Sequence, residues 1–76
     1  MQAFLEYVVK GLVQNPGAVS VTPVQREGVT VYELRLDAQD VGKIIGRQGR
    51  TAAALRTLVA LTAEKHGKRA QLDIKD

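Results

Sequence analysis

Apolar residues recur along this chain with two periods, and the switches between them divide it into six elements. From Ala3 to Val13 the period is helical: Phe4, Val8 and Leu12 stand four residues apart, with Leu5, Val9 and Val13 beside them. Gly11 is a weak point in that helix. Asn15-Pro16-Gly17 ends it, because a residue before proline is pushed out of the helical region and glycine turns the chain. Val19, Val21 and Thr22 are β-branched and open a strand that runs to Gln25. Pro23 has no N–H for a ladder, so this strand is expected at a sheet edge or at a bulge. After a turn at Arg26-Glu27-Gly28, Val29–Leu36 is the strongest strand, with Tyr32, Leu34 and Leu36 on one face and Glu33 and Arg35 on the other. Val29 and Val31 fall out of that phase, which predicts cover on both faces near the strand's start.

Asp37 then caps a short helix, with Asp40 three residues on in a box-like arrangement. Val41, Ile44 and Ile45 form its apolar face, and Gly46 stops it. Gly46-Arg47-Gln48-Gly49 is a tight link to a longer helix from Arg50 to about His66, which Gly67 terminates. On that helix Leu55, Leu58, Val59 and Thr62 cluster on the side expected to face the core. Leu61 points elsewhere, among Ala53, Ala54, Thr57 and Ala60, small residues that let another chain come close. A final strand alternates Ala70, Leu72 and Ile74 with Arg69, Gln71 and Asp73. The pattern predicts an α+β domain: one three-stranded sheet with three helices on one face, in the order helix, strand, strand, helix, helix, strand. At 76 residues the chain has room for a single domain, 1–76, with one modest core.

Composition narrows the chemistry. There is no cysteine, so disulfides and thiolate metal sites are excluded and a reducing cytoplasm is the natural setting. The single histidine, His66, excludes a multi-histidine metal site within one chain and sits near a helix end, where a cation is favoured structurally. The longest uninterrupted apolar runs, Ala52 to Leu55 and Leu58 to Leu61, fall far short of the ~20 residues that span a bilayer, so no membrane association is expected. The start of the chain has neither a basic leader nor a small-residue cleavage site. Ser20 is the only serine and lies in a strand, which leaves no serine–histidine–acid arrangement. Asp37 and Asp40 read as helix caps rather than a catalytic carboxylate pair. The glycine-rich segment Gly42–Gly49 lacks both the phosphate-loop ending and the dinucleotide fingerprint. No enzymatic activity, cofactor or metal is expected.

Charge changes the picture more. Between Lys43 and Arg69 seven basic residues face one acid, Glu64, a local charge of +6 that leaves −3 for the rest. That asymmetry is the footprint of a nucleic-acid-binding surface. Its centre is Ile44-Ile45-Gly46-Arg47-Gln48-Gly49-Arg50, a G-x-x-G pair between two helices, flanked by Lys43 and Arg50 and free of acids. Glycines at both ends allow a nucleic-acid backbone to approach, and the N–H groups opening the second helix favour an anion. The isoleucines are expected to floor an apolar groove for bases.

The motif and the order of elements resemble a KH domain of the prokaryotic type (type II), whose G-x-x-G loop clamps single-stranded nucleic acid. More narrowly, the segment from Val41 to Ile74 is similar to the KhpA family of small stand-alone bacterial KH proteins. That resemblance implies a cytoplasmic RNA chaperone or post-transcriptional regulator, linked in some bacteria to cell elongation and envelope synthesis. It also implies pairing, as a homodimer or with a larger KhpB-like KH protein. It carries RNA-binding roles onto Gly46, Arg47, Gln48 and Gly49, with Lys43, Ile45 and Arg50 flanking them. Many KH domains have an isoleucine three residues after the second glycine, where this chain has Ala52, which bears on groove depth and base preference. A domain of the RRM or OB type would stack bases on surface aromatics, and Phe4, Tyr7 and Tyr32 all lie outside the basic stretch. A KH module used for protein interaction, with incidental RNA binding, is the other reading.

Overall fold

In the computed structural model, which describes residues 1–75, the expected elements follow one another as α1 (Gln2–Lys10), β1 (Ser20–Arg26), β2 (Val29–Arg35), α2 (Ala38–Ile45), α3 (Arg50–Lys65) and β3 (Ala70–Lys75). Single turns of 3-10 helix stand at Pro16–Ala18 and Arg47–Gly49. The sheet is mixed, in the order β1-β2-β3, with β1 antiparallel and β3 parallel to the central β2. Leu5 and Val9 of α1, Leu34 of β2, Ile44 of α2 and Val59 of α3 are the largest fully buried side chains, so all three helices close one core against one face of the sheet. Val21 and Leu72 complete it from the outer strands.

Helix α1 is shorter than its apolar periodicity predicts, ending at Lys10 rather than Val13. Gly11 caps it, its N–H shared between the carbonyls of Tyr7 and Val8. Its buried row is Leu5 and Val9, whereas Phe4 and Leu12 are each 47% exposed. Two apolar rows lie side by side on this helix about 100° apart, and only its seat against β1 selects one of them. As Pro23 requires, β1 is an edge strand, and the pairing Pro23↔Tyr32 continues the register without a bulge. Glu27 and Gly28, both at positive φ, make the two-residue hairpin turn whose twist suits the flanking strands.

The helix-free face of the sheet carries Val31, buried beside Val24 and Gln71, its partners on the adjoining strands. The cover predicted for the start of β2 therefore comes on this side from neighbouring strands rather than from another layer. The same face holds ion pairs: Arg26–Glu33 at 3.6 Å, Lys75–Glu33 at 3.9 Å and Lys75–Asp73 at 3.5 Å. The Lys75–Asp73 pair, exposed at both ends, contributes at most about 1 kcal/mol, while Glu33 is half-buried between its two cations.

Asp37 caps α2 as expected, accepting the Gln39 N–H at 2.9 Å. That bond first, and then one from Asn15 Nδ2, hold its carboxyl below the ordinary carboxylate value. The cap is therefore fully in place above that ordinary value and is lost as pH falls through the lowered folded-state value. Asp40 does not complete a capping box. Its carboxylate turns the other way and accepts the backbone N–H groups of Gln14 at 3.1 Å and Asn15 at 3.0 Å. Among the described residues it is the buried charged one, 2% exposed, and it pins the segment after α1 to α2.

On α3 the buried row is Ala52, Leu55, Val59 and Ala63. Leu58, expected in the core, is 44% exposed, and Thr62 is half-buried. That row, with alanines at both ends, is the face of α3 turned to the core, and Leu58 lies to one side of it. The helix ends in a Schellman motif, with Gly67 N–H donating to Glu64 O and Lys68 N–H to Ala63 O, both at 2.9 Å. Among the described residues no helix is long and apolar enough to cross a membrane.

Asp40→Ala is expected to cost about 2–3 kcal/mol, because two backbone donors lose a charged acceptor. For a domain of this size that lowers the thermal midpoint by roughly 10 °C or more. Thermal denaturation of Asp40→Ala beside the parent checks it, and equal midpoints would remove Asp40 as the anchor.

Candidate nucleic-acid interface

The corner between α2 and α3 is built on steric grounds. Gly46 adopts φ 76° and ψ 175°, a region essentially reserved for glycine, and its N–H still donates to Gly42 O at 2.9 Å. A Cβ on Gly46 would meet the Thr51 Cβ at 2.7 Å and the Thr51 backbone nitrogen at 3.0 Å. Gln48, at φ 57° and ψ 27°, and Gly49, at φ 74° and ψ 12°, then run through two left-handed residues into α3. A Cβ on Gly49 would meet nothing within 4 Å. The two glycines thus do different work. Gly46 makes room for Thr51 inside the protein, and Gly49 leaves open space outside it.

That space lies before the N-terminus of α3. No side chain caps this end and no acid stands in its first turn, so its free N–H groups lack an anionic partner from the chain. Lys43, Arg47, Gln48 and Arg50 are all exposed around it, and none of the three cations forms an ion pair among the described residues. Ile45, Gly46 and Gly49 are half-buried. The adjacent isoleucines part company: Ile44 is fully buried in the core, so Ile45 alone offers apolar surface beside the loop. Ala52 is also buried, at 1% exposure, and adds no surface to a groove. The structure brings all seven sequence-selected residues to one corner. Thr51, against which Gly46 packs, was not legible as part of it, because a threonine after a basic residue carries no signal until the corner closes.

A three-stranded α+β domain with three helices on one face and a glycine-closed loop joining its second and third helices is a KH domain of the prokaryotic type. The family model for the KhpA/KhpB KH domain matches residues 2–74, and the chain belongs to that family. It is similar to the RNA-binding protein KhpA of Borreliella burgdorferi, 46% identical over 72 residues, which are 95% of this chain and 88% of that protein. It is also similar to the RNA-binding protein KhpA of Chlamydia pneumoniae, 41% identical over 100% of this chain and 97% of that protein. The RNA-binding protein KhpA of Aquifex aeolicus is 43% identical over 97% and 94%. No solved structure gives a significant match.

Gly49→Ala is expected to cost about 1–2 kcal/mol from backbone strain alone, since space is free around it. Gly46→Ala should cost more, because the clash with Thr51 adds to a glycine-only conformation. Urea titration of both variants checks the order, and equal losses would contradict the distinction.

Proposed function

We propose that the chain binds single-stranded RNA at the Gly46–Arg50 corner and acts without catalysis, in the cytoplasm, as an RNA chaperone or post-transcriptional regulator. The observation that carries this reading is the uncapped N-terminus of α3, facing open space at Gly49 and surrounded by unpaired cations. A phosphate there would accept hydrogen bonds from the opening N–H groups of α3, which no side chain caps, while Lys43, Arg47 and Arg50 add attraction to the neighbouring phosphates. Ile45 gives a base an apolar surface to lie on. The relatives' naming as RNA-binding proteins supports the same reading. RNA is expected to enter as a single strand, because a narrow clamp needs unpaired bases.

The test is titration of labelled single-stranded RNA against the parent and the Arg47→Asp/Gln48→Asp double variant. Both residues are exposed, so the thermal midpoint should move little while binding collapses. With about four phosphates neutralised, log K should fall against log salt with a slope near −3. A double variant that binds like the parent, or a preference for duplex RNA, would overturn the assignment.

A second reading rests on α3, whose Leu58 and Leu61 are 44% and 58% exposed beside Ala54, Thr57 and Ala60. We propose that this face pairs the chain with a second copy or with a larger KhpB-like KH protein. Pairing would set two loops in one particle and raise avidity for longer RNA. Sedimentation should give a dimer for the parent and a monomer for Leu61→Glu. A parent that stays monomeric, alone and with such a partner, would refute it.

A further inference from the structure

A second basic cluster, with Glu64 as its neighbouring acid, lies at the opposite end of α3 from the Gly46–Arg50 corner. The sixteen residues of α3 join the two over about 24 Å at 1.5 Å per residue. Lys65, Lys68 and Arg69 are exposed there, and none forms an ion pair among the described residues. The helix dipole accounts for Lys65 and His66 in the last turn and cap, but Lys68 and Arg69 lie beyond its reach. Their backbone is held firmly. Lys68 N–H closes the Schellman motif on Ala63, and Arg69 O accepts the Thr30 N–H at 3.0 Å.

The cluster borders a cavity of about 210 Å³, walled by Thr30 and Tyr32 of β2, Thr62 of α3 and its C-cap His66, and Lys68 and Arg69 of the connecting loop. That volume is below the ~300–1,000 Å³ of a site for a drug-sized molecule, so one ring-sized group fills it. The walls combine the half-buried Tyr32, packed on one side against the core, two threonines, of which Thr30 already accepts a hydrogen bond from Gln25 Nε2 at 2.7 Å and keeps its O–H to donate, and cations at the rim. This is the set a nucleotide uses: a face for the base, hydroxyl partners for its edge or for a ribose 2′-OH, and charge for the phosphate.

We propose that this cavity is a second nucleotide site, taking one further nucleotide of the RNA strand already held at the Gly46–Arg50 corner. The proposal rests on the RNA-binding reading above and lengthens its footprint. Stacked nucleotides advance about 3.4 Å each, so about seven bridge the length of α3 and about twelve occupy both sites. A strand of about four reaches the corner alone.

The experiment compares single-stranded RNAs of about four and about twelve nucleotides by amide chemical shifts and by titration, using the parent and Lys68→Glu/Arg69→Glu. The long RNA should shift the amides of Thr30, Thr62 and Lys68–Ala70 together with those of Gly46–Arg50, and the short RNA only the latter. The variant should keep the thermal midpoint and its affinity for the short RNA. It should lose tenfold or more for the long one, with a salt slope shallower by about 1.4 for two lost phosphate contacts. Shifts confined to Gly46–Arg50 with the long RNA, or equal losses for both lengths, would overturn the second site. Shifts at the cavity with an oligoglutamate peptide and none with RNA would assign it to an acidic protein and overturn it equally. If Arg47→Asp/Gln48→Asp binds both RNAs like the parent, the corner is the part that fails, and the amide shifts still decide the cavity.

Discussion

The turn from α2 into α3 exists because nothing projects from Gly46. With a Cβ there, Thr51 could not occupy its place, and α3 could not follow α2 with only four residues between them. From that one close approach follow the placements around it. Ile44 stays in the core while Ile45 remains at the surface, and Gln48 and Gly49 are driven through left-handed conformations. The first N–H groups of α3 are left without a capping side chain. A helix start that is uncapped, cation-flanked and open is an electrostatic vacancy of one sign. The steric requirement inside the protein and the anion preference outside it share a single cause.

Charge is divided between the layers of the fold. On the helix-free face of the sheet, Arg26, Glu33, Asp73 and Lys75 neutralise one another across three strands. Around α3 the cations have no such partners among the described residues, and a net charge of +3 understates the field there. Phosphates entering that field displace counterions, whereas phosphates meeting the sheet face would compete with pairs already made.

A chain of 76 residues has little core to spend on orientation, and Asp40 supplies some of it by other means. By accepting two backbone N–H groups from the segment after α1, it ties the first helix to the second without apolar area. The small core also leaves large side chains uncovered. Leu58 and Leu61 stand on α3 and Phe4 and Leu12 on or beside α1, all outside the buried rows.

Local chemistry made much of this legible from the residues alone. The order of elements, the edge position that Pro23 imposes on β1, the Asp37 cap and the glycine stops all follow from backbone preferences acting over a few residues. Other features needed the packed chain. Phe4–Val8–Leu12 and Leu5–Val9 are equally good helical rows, and only the sheet's position buries the second. On α3 the buried row is Ala52, Leu55, Val59 and Ala63 rather than one that includes Leu58, because the side of the helix that meets the sheet is set by docking. Asp40 fits a capping box three residues after Asp37, but its carboxylate finds Gln14 and Asn15, brought near by the docking of α1. The likeness of Gly46 and Gly49 in the motif conceals opposite surroundings, one filled by Thr51 and the other empty. Short-range dihedral and capping preferences are written residue by residue, whereas which of several competent side chains meets a partner depends on segments that come together only when the chain folds.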